Sequence, residues 1–213
     1  MRIINLIEDT KGAEGLCFEH GLSFYIETQK HKMLLDTGCT DAFLSNAKKL
    51  GIDLTKVDTV VLSHGHYDHT GGVLAFSKIN PSAKIYMQET AGKDYYNLRD
   101  HQEKYIGIDK EILKLPQLVL LNGDCRIDEE LYIFSSISGR TYWPERNLLL
   151  KEKIGEQFIQ DEFVHEQCLV VSENGANVLL SGCAHNGILN ILEAYKEHFQ
   201  KEPKAVISGF HMM

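Results

Sequence analysis

The sequence predicts a mixed α and β fold, and three observations carry the prediction: short β-branched apolar runs of strand length, two amphipathic stretches of helical period, and an Asn-Gly turn between apolar runs. Arg2 to Ile7, Leu22 to Glu27 and Lys32 to Leu35 read as strands, the third closed by the turn Asp36-Thr37-Gly38. Thr40 or Asp41 can cap a helix whose apolar face is Phe43, Leu44, Ala47 and Leu50, with Gly51 just past its end. Thr59-Val60-Val61-Leu62-Ser63 has the pattern of a strand covered on both faces, and it delivers the chain into His64. Residues 89 to 165 are less regular and hold Tyr95, Tyr96, Tyr105, Tyr132, Tyr142 and Trp143, which read as local core. Cys168 to Glu173 and Val178 to Leu180 form a hairpin about Asn174-Gly175 that leads into Ser181-Gly182-Cys183-Ala184-His185. Ile188, Ile191, Leu192, Tyr195 and Phe199 mark a helix face, Pro203 stops that helix, and Ala205 to Ser208 is a last buried strand running toward His211. No linker composition interrupts the chain, so residues 1–213 read as a single domain.

Composition narrows the function classes. A chain of 213 residues with 43% hydrophobic content can bury a sizeable core, and 24% charged residues with 17 Gly and 4 Pro exclude disordered, collagen-like and coiled-coil chains. A net charge of -8 speaks against a basic surface held on nucleic acid or anionic lipid. No apolar run approaches the ~20 residues of a membrane span, and the start Met1-Arg2-Ile3-Ile4-Asn5-Leu6-Ile7-Glu8 turns acidic before a signal-peptide core can form. The 5 cysteines are odd in number and form no CxxC pair, which suits reduced thiols and a cytoplasmic protein.

The histidines carry the chemistry. His64-Gly65-His66-Tyr67-Asp68-His69 crowds three imidazoles and a carboxylate into one turn. Charged, they would repel; neutral and buried, they would lose hydration without return. A divalent cation resolves both. Residues two apart in extended chain project to the same side, so His64 and His66 can reach one ion while Asp68 and His69, beyond the turn, face a second. Nitrogen and carboxylate donors together suit zinc, manganese or iron rather than calcium or magnesium. Asp36 reads as a cap of its own turn or as the orienting partner of a ligand histidine. His31 and His198 read as solvated, while His20 and His101 sit in loops able to overhang the site.

Leu62-Ser63-His64-Gly65-His66-Tyr67-Asp68-His69-Thr70-Gly71-Gly72 resembles the signature of the metallo-β-lactamase superfamily. His20-Gly21-Leu22-Ser23, Leu35-Asp36-Thr37-Gly38, Gly182-Cys183-Ala184-His185-Asn186-Gly187-Ile188 and Ser208-Gly209-Phe210-His211 further resemble its 7,8-dihydropterin-6-methyl-4-(β-D-ribofuranosyl)aminobenzene-5'-phosphate synthase-like branch. The likeness runs from Met1 to the last residue. It implies an α+β fold, a four-layer αββα sandwich with two metals at one edge of the paired sheets. Relatives continue past the position of His211 with a helix, a strand and a further histidine-bearing loop, so the resemblance also implies a shortened C-terminal end, in a short member or in one whose site is incomplete.

Carried over residue by residue, the resemblance implies His64, His66, Asp68, His69, His185 and His211 as metal ligands. His165 stands where many members place a ligand histidine, and Cys183 where members place a bridging Asp or a metal-binding Cys; a small residue packing the turn is the other reading of Cys183. The implied activity is hydrolysis of a small-molecule substrate of phosphoester type by a metal-bound hydroxide, with two divalent transition-metal ions, zinc ahead of manganese or iron. Asp68 would orient the hydroxide and take its proton, and whichever of His165 or His185 is not a ligand would protonate the leaving group. The alternatives are an iron-dependent oxygen or redox enzyme on the same ligands, and a metal- or ligand-binding member without turnover. Neither nucleic acid nor a membrane is an expected partner, and the sequence does not speak to oligomeric state.

Overall fold

The computed structural model describes residues 1–99 and 102–210. Its contacts gather into two compact units: Met1–Leu62 with His66–Met87 and Ile108–Leu120, and Ser63–Gly65 with Gln88–Gly107 and Leu121–Met213. The histidine motif thus contributes His64 to the second unit and His66, Asp68 and His69 to the first.

The first unit carries a six-stranded sheet in the order Arg2–Ile7, Ser23–Glu27, Lys32–Leu35, Thr59–Val61, Lys84–Gln88, Leu118–Leu121. The first three strands are antiparallel, and Lys32–Leu35, Thr59–Val61 and Lys84–Gln88 then run parallel. Parallel neighbours need a crossover, and the helices Ala42–Lys49 and Val73–Ile79 lie in those connections. Thr59–Val61 is buried along its length, as its all-apolar neighbourhood predicts. It ends two residues earlier than the sequence suggests, although Leu62 still donates to the Tyr86 carbonyl at 2.9 Å. The helix Ala42–Lys49 starts as expected, with the Thr40 hydroxyl accepting from the Ala42 N–H at 3.1 Å while the Asp41 side chain makes no capping bond. Gly51 follows at φ 70°, the left-handed conformation that closes helices.

The second unit holds a five-stranded sheet in the order Ala205–Ile207, Ala176–Leu180, Cys168–Glu173, Leu131–Phe134, Cys125–Arg126 and a four-stranded sheet in the order Gln157–Gln160, Leu150–Ile154, Tyr95–Arg99, Gln102–Tyr105. Asn174 and Gly175 both take positive φ, the backbone of a tight hairpin turn. The helix Ile188–Phe199 lays Ile191, Ala194 and Tyr195 on a core with Phe134, Cys168, Val170 and Leu179. It ends on Gln200 at φ 52° rather than at Pro203.

The middle of the chain is richer in strands than its sequence suggests. Gln102–Tyr105 is exposed throughout, so it lacks the apolar alternation that marks a half-buried strand. Its aromatics divide: Tyr95 is fully buried, Tyr96 meets Tyr105 edge to face at 5.3 Å, and Tyr142 is 86% exposed. His198 is exposed, as expected, with its ring 5.3 Å from that of Phe134 and 5.7 Å from that of Tyr132. His31, by contrast, is half-buried and held through Nδ1 to Asp58 at 2.9 Å.

Candidate metal centre

In the first unit the chain leaves the sheet and turns at His66, whose extended backbone (φ -105°, ψ 147°) opens the short helix Tyr67–Thr70. The His66 carbonyl accepts from the N–H groups of His69 and Thr70 and from the Thr70 hydroxyl at 2.9 Å. That short turn sets Asp68 and His69 side by side, with Asp68 Oδ2 at 3.5 Å from His69 Nε2. Close packing fixes the turn: a Cβ on Gly71 would stand 1.9 Å from the Cys39 carbonyl oxygen, so only glycine fits.

Asp36 orients His69. Its fully buried carboxylate accepts a hydrogen bond from Nδ1–H at 2.6 Å, so the neutral ring turns the Nε2 lone pair away from Asp36. This is the orienting role rather than the turn cap, and Asp36 adopts φ 60° to fill it. His20 overhangs as expected, with Nδ1 on Asp9 at 2.9 Å and Nε2 at 3.5 Å from Asp68 Oδ2. Burial raises the Asp68 carboxyl, but the charge that His69, His66 and His20 carry in their protonated forms lowers it by more, to below the ordinary carboxylate value.

In the second unit the ligand atoms of His64, Cys183 and His185 all lie within 4.8 Å of one another. His64 Nδ1 is 2.8 Å from the Ser63 hydroxyl. His185 Nδ1 is 2.9 Å from Asn147 Oδ1, and the Asn147 amide must face that way because its Nδ2 donates to the His185 carbonyl at 2.7 Å. His185 therefore carries its proton on Nδ1. The Nε2 atoms of both rings are buried and make no hydrogen bond among the described residues.

Glu166, fully buried, grips the turn that carries His185. Its Oε1 accepts from the His185 N–H at 2.6 Å, and its Oε2 accepts from the Asn186 N–H and Nδ2 at 2.8 and 2.9 Å. Burial raises its pKa against the lowering effect of those bonds. Ala184 sits at φ 57° and Phe163 at φ 52°, and Phe163 stacks flat on the His185 ring at 4.4 Å. Left-handed backbone at two non-glycine residues beside one histidine is the kind of strain that gathers at functional sites.

His165 is built differently. It is fully buried, with Nδ1 accepting from the Gly65 N–H at 3.0 Å and Nε2 donating to Asp161 at 3.1 Å. Both ring nitrogens are engaged. His101 and His211 lie outside the described residues. Asn147, Glu166 and Ser63 are functional neighbours that sequence reasoning missed. Glu166 alone gave a signal, as a carboxylate between His165 and the apolar strand that follows.

A divalent transition metal fits this donor set. Two imidazoles and a thiol with converging ligand atoms, or an imidazole beside a carboxylate, are borderline-soft ligands, and the rings are preset by partners on Nδ1.

The family model described as the metallo-beta-lactamase superfamily matches residues 18–206. The chain belongs to that superfamily. As a superfamily member it has the metallo-β-lactamase fold and is a metal-dependent hydrolase. It is 32% identical to a solved metal-dependent hydrolase of the β-lactamase superfamily, with a TM-score of 0.84 over 99% of this chain and 77% of that one. It is 31% identical to an uncharacterized protein of Methanocaldococcus jannaschii over 99% of this chain and 80% of that protein. It is 27% identical to the 7,8-dihydropterin-6-methyl-4-(β-D-ribofuranosyl)-aminobenzene-5'-phosphate synthase of the same organism, over 100% of this chain and 78% of that enzyme. No helix among the described residues is long and apolar enough to cross a membrane.

Proposed function

We propose that this superfamily hydrolase cleaves a phosphoester bond in a small molecule, using two divalent transition-metal ions, zinc ahead of manganese or iron. The observation that carries the reading is the shared way in which His64, His69 and His185 are held. Each engages a neighbour through Nδ1, Ser63, Asp36 and Asn147 in turn, and so offers Nε2 as the ligand atom. His64, His66, Asp68, His69 and His185 are the ligands of this proposal, with His211 retained from the motif it shares with the branch. The adjacency of Asp68 to His69 supports one ion on that pair, and the convergence of His64 with His185 supports a second.

Bound divalent ions supply charge to neutralise phosphoryl oxygens and a water nucleophile active near neutral pH. Asp68 would orient that water and take its proton. His185, with Nδ1 on Asn147, serves as a ligand and not as the leaving-group acid. His165 holds the Gly65 backbone between two ligands, and its part is positional. The phosphoester class draws support from the relative whose name carries a 5'-phosphate. No disulfide joins the cysteines among the described residues, and this reading keeps the chain in a reducing cytoplasmic setting.

Elemental analysis of the purified chain, followed by assays on phosphomonoester, phosphodiester, lactone and β-lactam substrates after reloading with zinc, manganese or iron, tests the reading. About two ions per chain with turnover of a phosphoester supports it. Fewer than one ion per chain, or turnover confined to lactones or β-lactams, overturns it.

A further inference from the structure

A cleft of about 480 Å³ lies in the second unit, and its lining includes none of the proposed metal ligands. That volume is within the roughly 300–1,000 Å³ of small-molecule sites. One wall is Phe163, the ring that stacks on His185, so the cleft and the ligand histidine share a side chain.

The polar groups in the cleft divide into those with partners and those with spare capacity. Gln88 belongs to the frame: its Nε2 donates to the Gly123 carbonyl and to Gln167 Oε1 at 3.0 and 2.8 Å, and its Oε1 accepts from the Gly123 N–H at 3.0 Å. The hydroxyls of Thr90, Ser135, Ser136 and Ser138 and the amide of Asn122 line the same space, and these side chains make no hydrogen bond among the described residues.

Charge decides what such a cleft accepts. Its one lining cation, Arg140, has its guanidinium on Glu162 at 2.5 Å and on the Gly139 carbonyl at 2.8 Å, and lies over the Trp143 ring. Glu89 and Glu162 leave the lining with two carboxylates against one guanidinium. An anion would meet net repulsion there. A hydroxyl-bearing neutral group would find carboxylates that accept, hydroxyls that donate or accept, and the apolar faces of Ile137 and Phe163 for its C–H surface.

We infer that this cleft binds an uncharged polyhydroxylated moiety, a sugar ring or a polyol, of the molecule whose phosphoester is cleaved. The inference rests on the proposed phosphoester hydrolysis and divides the substrate: anion at the metals, polyol in the cleft.

The test uses the full chain, 15N-labelled, titrated separately with methyl β-D-ribofuranoside, methyl β-D-glucopyranoside and orthophosphate, with backbone amide shifts as the readout. Saturable shifts of Gly123 and of residues 135–138 are expected with at least one glycoside. Ser136→Phe, a filling change at an exposed residue, should weaken that binding by about tenfold or more. Asn122→Ala, which only removes an amide, should weaken it less. The inference is overturned if neither glycoside moves these amides, if orthophosphate alone moves them, or if both variants bind as the parent does. The same samples are assayed on p-nitrophenyl phosphate. Turnover without glycoside binding sinks only the cleft; glycoside binding without turnover of any phosphoester sinks only the hydrolytic reading.

Discussion

His165 accepts a hydrogen bond from the Gly65 backbone N–H at 3.0 Å and sits 3.1 Å from the Asp161 carboxylate through its other ring nitrogen. An N–H can face only an unprotonated nitrogen, so Nδ1 is bare and the proton is on Nε2. The neutral imidazole thereby joins a buried carboxylate to the backbone between His64 and His66. Asp161 is fixed in turn by the Phe163 N–H at 2.8 Å.

Removing that ring tests its role. His165→Ala should lower stability by about 2–6 kcal/mol, because Asp161 and the Gly65 N–H each lose a buried partner at about 1–3 kcal/mol apiece. Thermal unfolding and zinc titration, run together, check it. Loss of metal with unchanged stability would make His165 a ligand, whereas loss of stability with metal affinity weakened at both ions is the expected result.

Asp36→Asn separates charge from backbone. Asn tolerates the left-handed region almost as well as Asp, so the φ of 60° at this residue is no obstacle to the change. Its carbonyl can still accept from His69 Nδ1, but the anion that strengthens the ring as a ligand is gone. Metal affinity should fall roughly 10- to 100-fold with circular dichroism unchanged. Asp36→Ala, which loses the acceptor as well, should fall further.

Much of this was legible in the chain. The motif from His64 to His69 declared itself by crowding, and Asn174-Gly175 by turn chemistry. Asp36 could be read two ways, as a cap of its own turn or as the orienting partner of a ligand histidine, and only its contact with His69 decides between them. The rest was hidden because its partners are distant in sequence: Asn147 meets His185 across 38 residues and Glu166 meets it across 19. The exposed strands of the middle segment, such as Gln102–Tyr105, owe their pairing to a neighbour rather than to an apolar pattern of their own.

His66→Ala should abolish metal retention and hydrolysis together while leaving the fold. What His66 contributes locally to the turn is its carbonyl, which accepts from His69 and Thr70, and alanine keeps that carbonyl. Elemental analysis alongside circular dichroism checks this; an unfolded variant would make the metal a folding requirement.

Alkaline pH reaches a different residue. Burial, aided by Glu27, pushes the Tyr25 hydroxyl from its ordinary 10.0 up to about 12. The folded state then holds this proton more tightly than the unfolded one, so stability is unaffected below pH 10 and declines as pH rises from about 10 to about 12. Denaturant titrations across that window should show a shallower decline in Tyr25→Phe than in the parent chain.

Glu166→Gln poses the sharpest contest between two effects. Burial disfavours the Glu166 anion, so a neutral isostere removes a desolvation cost and on that ground alone should stabilise the chain at neutral pH. Against it stand three donors: the N–H groups of His185 and Asn186 and the Asn186 amide at 2.6, 2.8 and 2.9 Å, all aimed at the two carboxylate oxygens. Glutamine offers one acceptor oxygen, so whichever way its amide turns, at least one donor faces an NH2 group in a fully buried space. Each donor so left costs about 1–3 kcal/mol, and the bonds replaced were charge-assisted, so the loss outweighs the relief. The turn from Ala184 to Asn186 should loosen, with a lower melting temperature and weaker zinc binding even though His185 itself is intact. Zinc affinity equal to the parent's, with stability raised, would show that Glu166 is only a buried charge and not the clamp that sets His185.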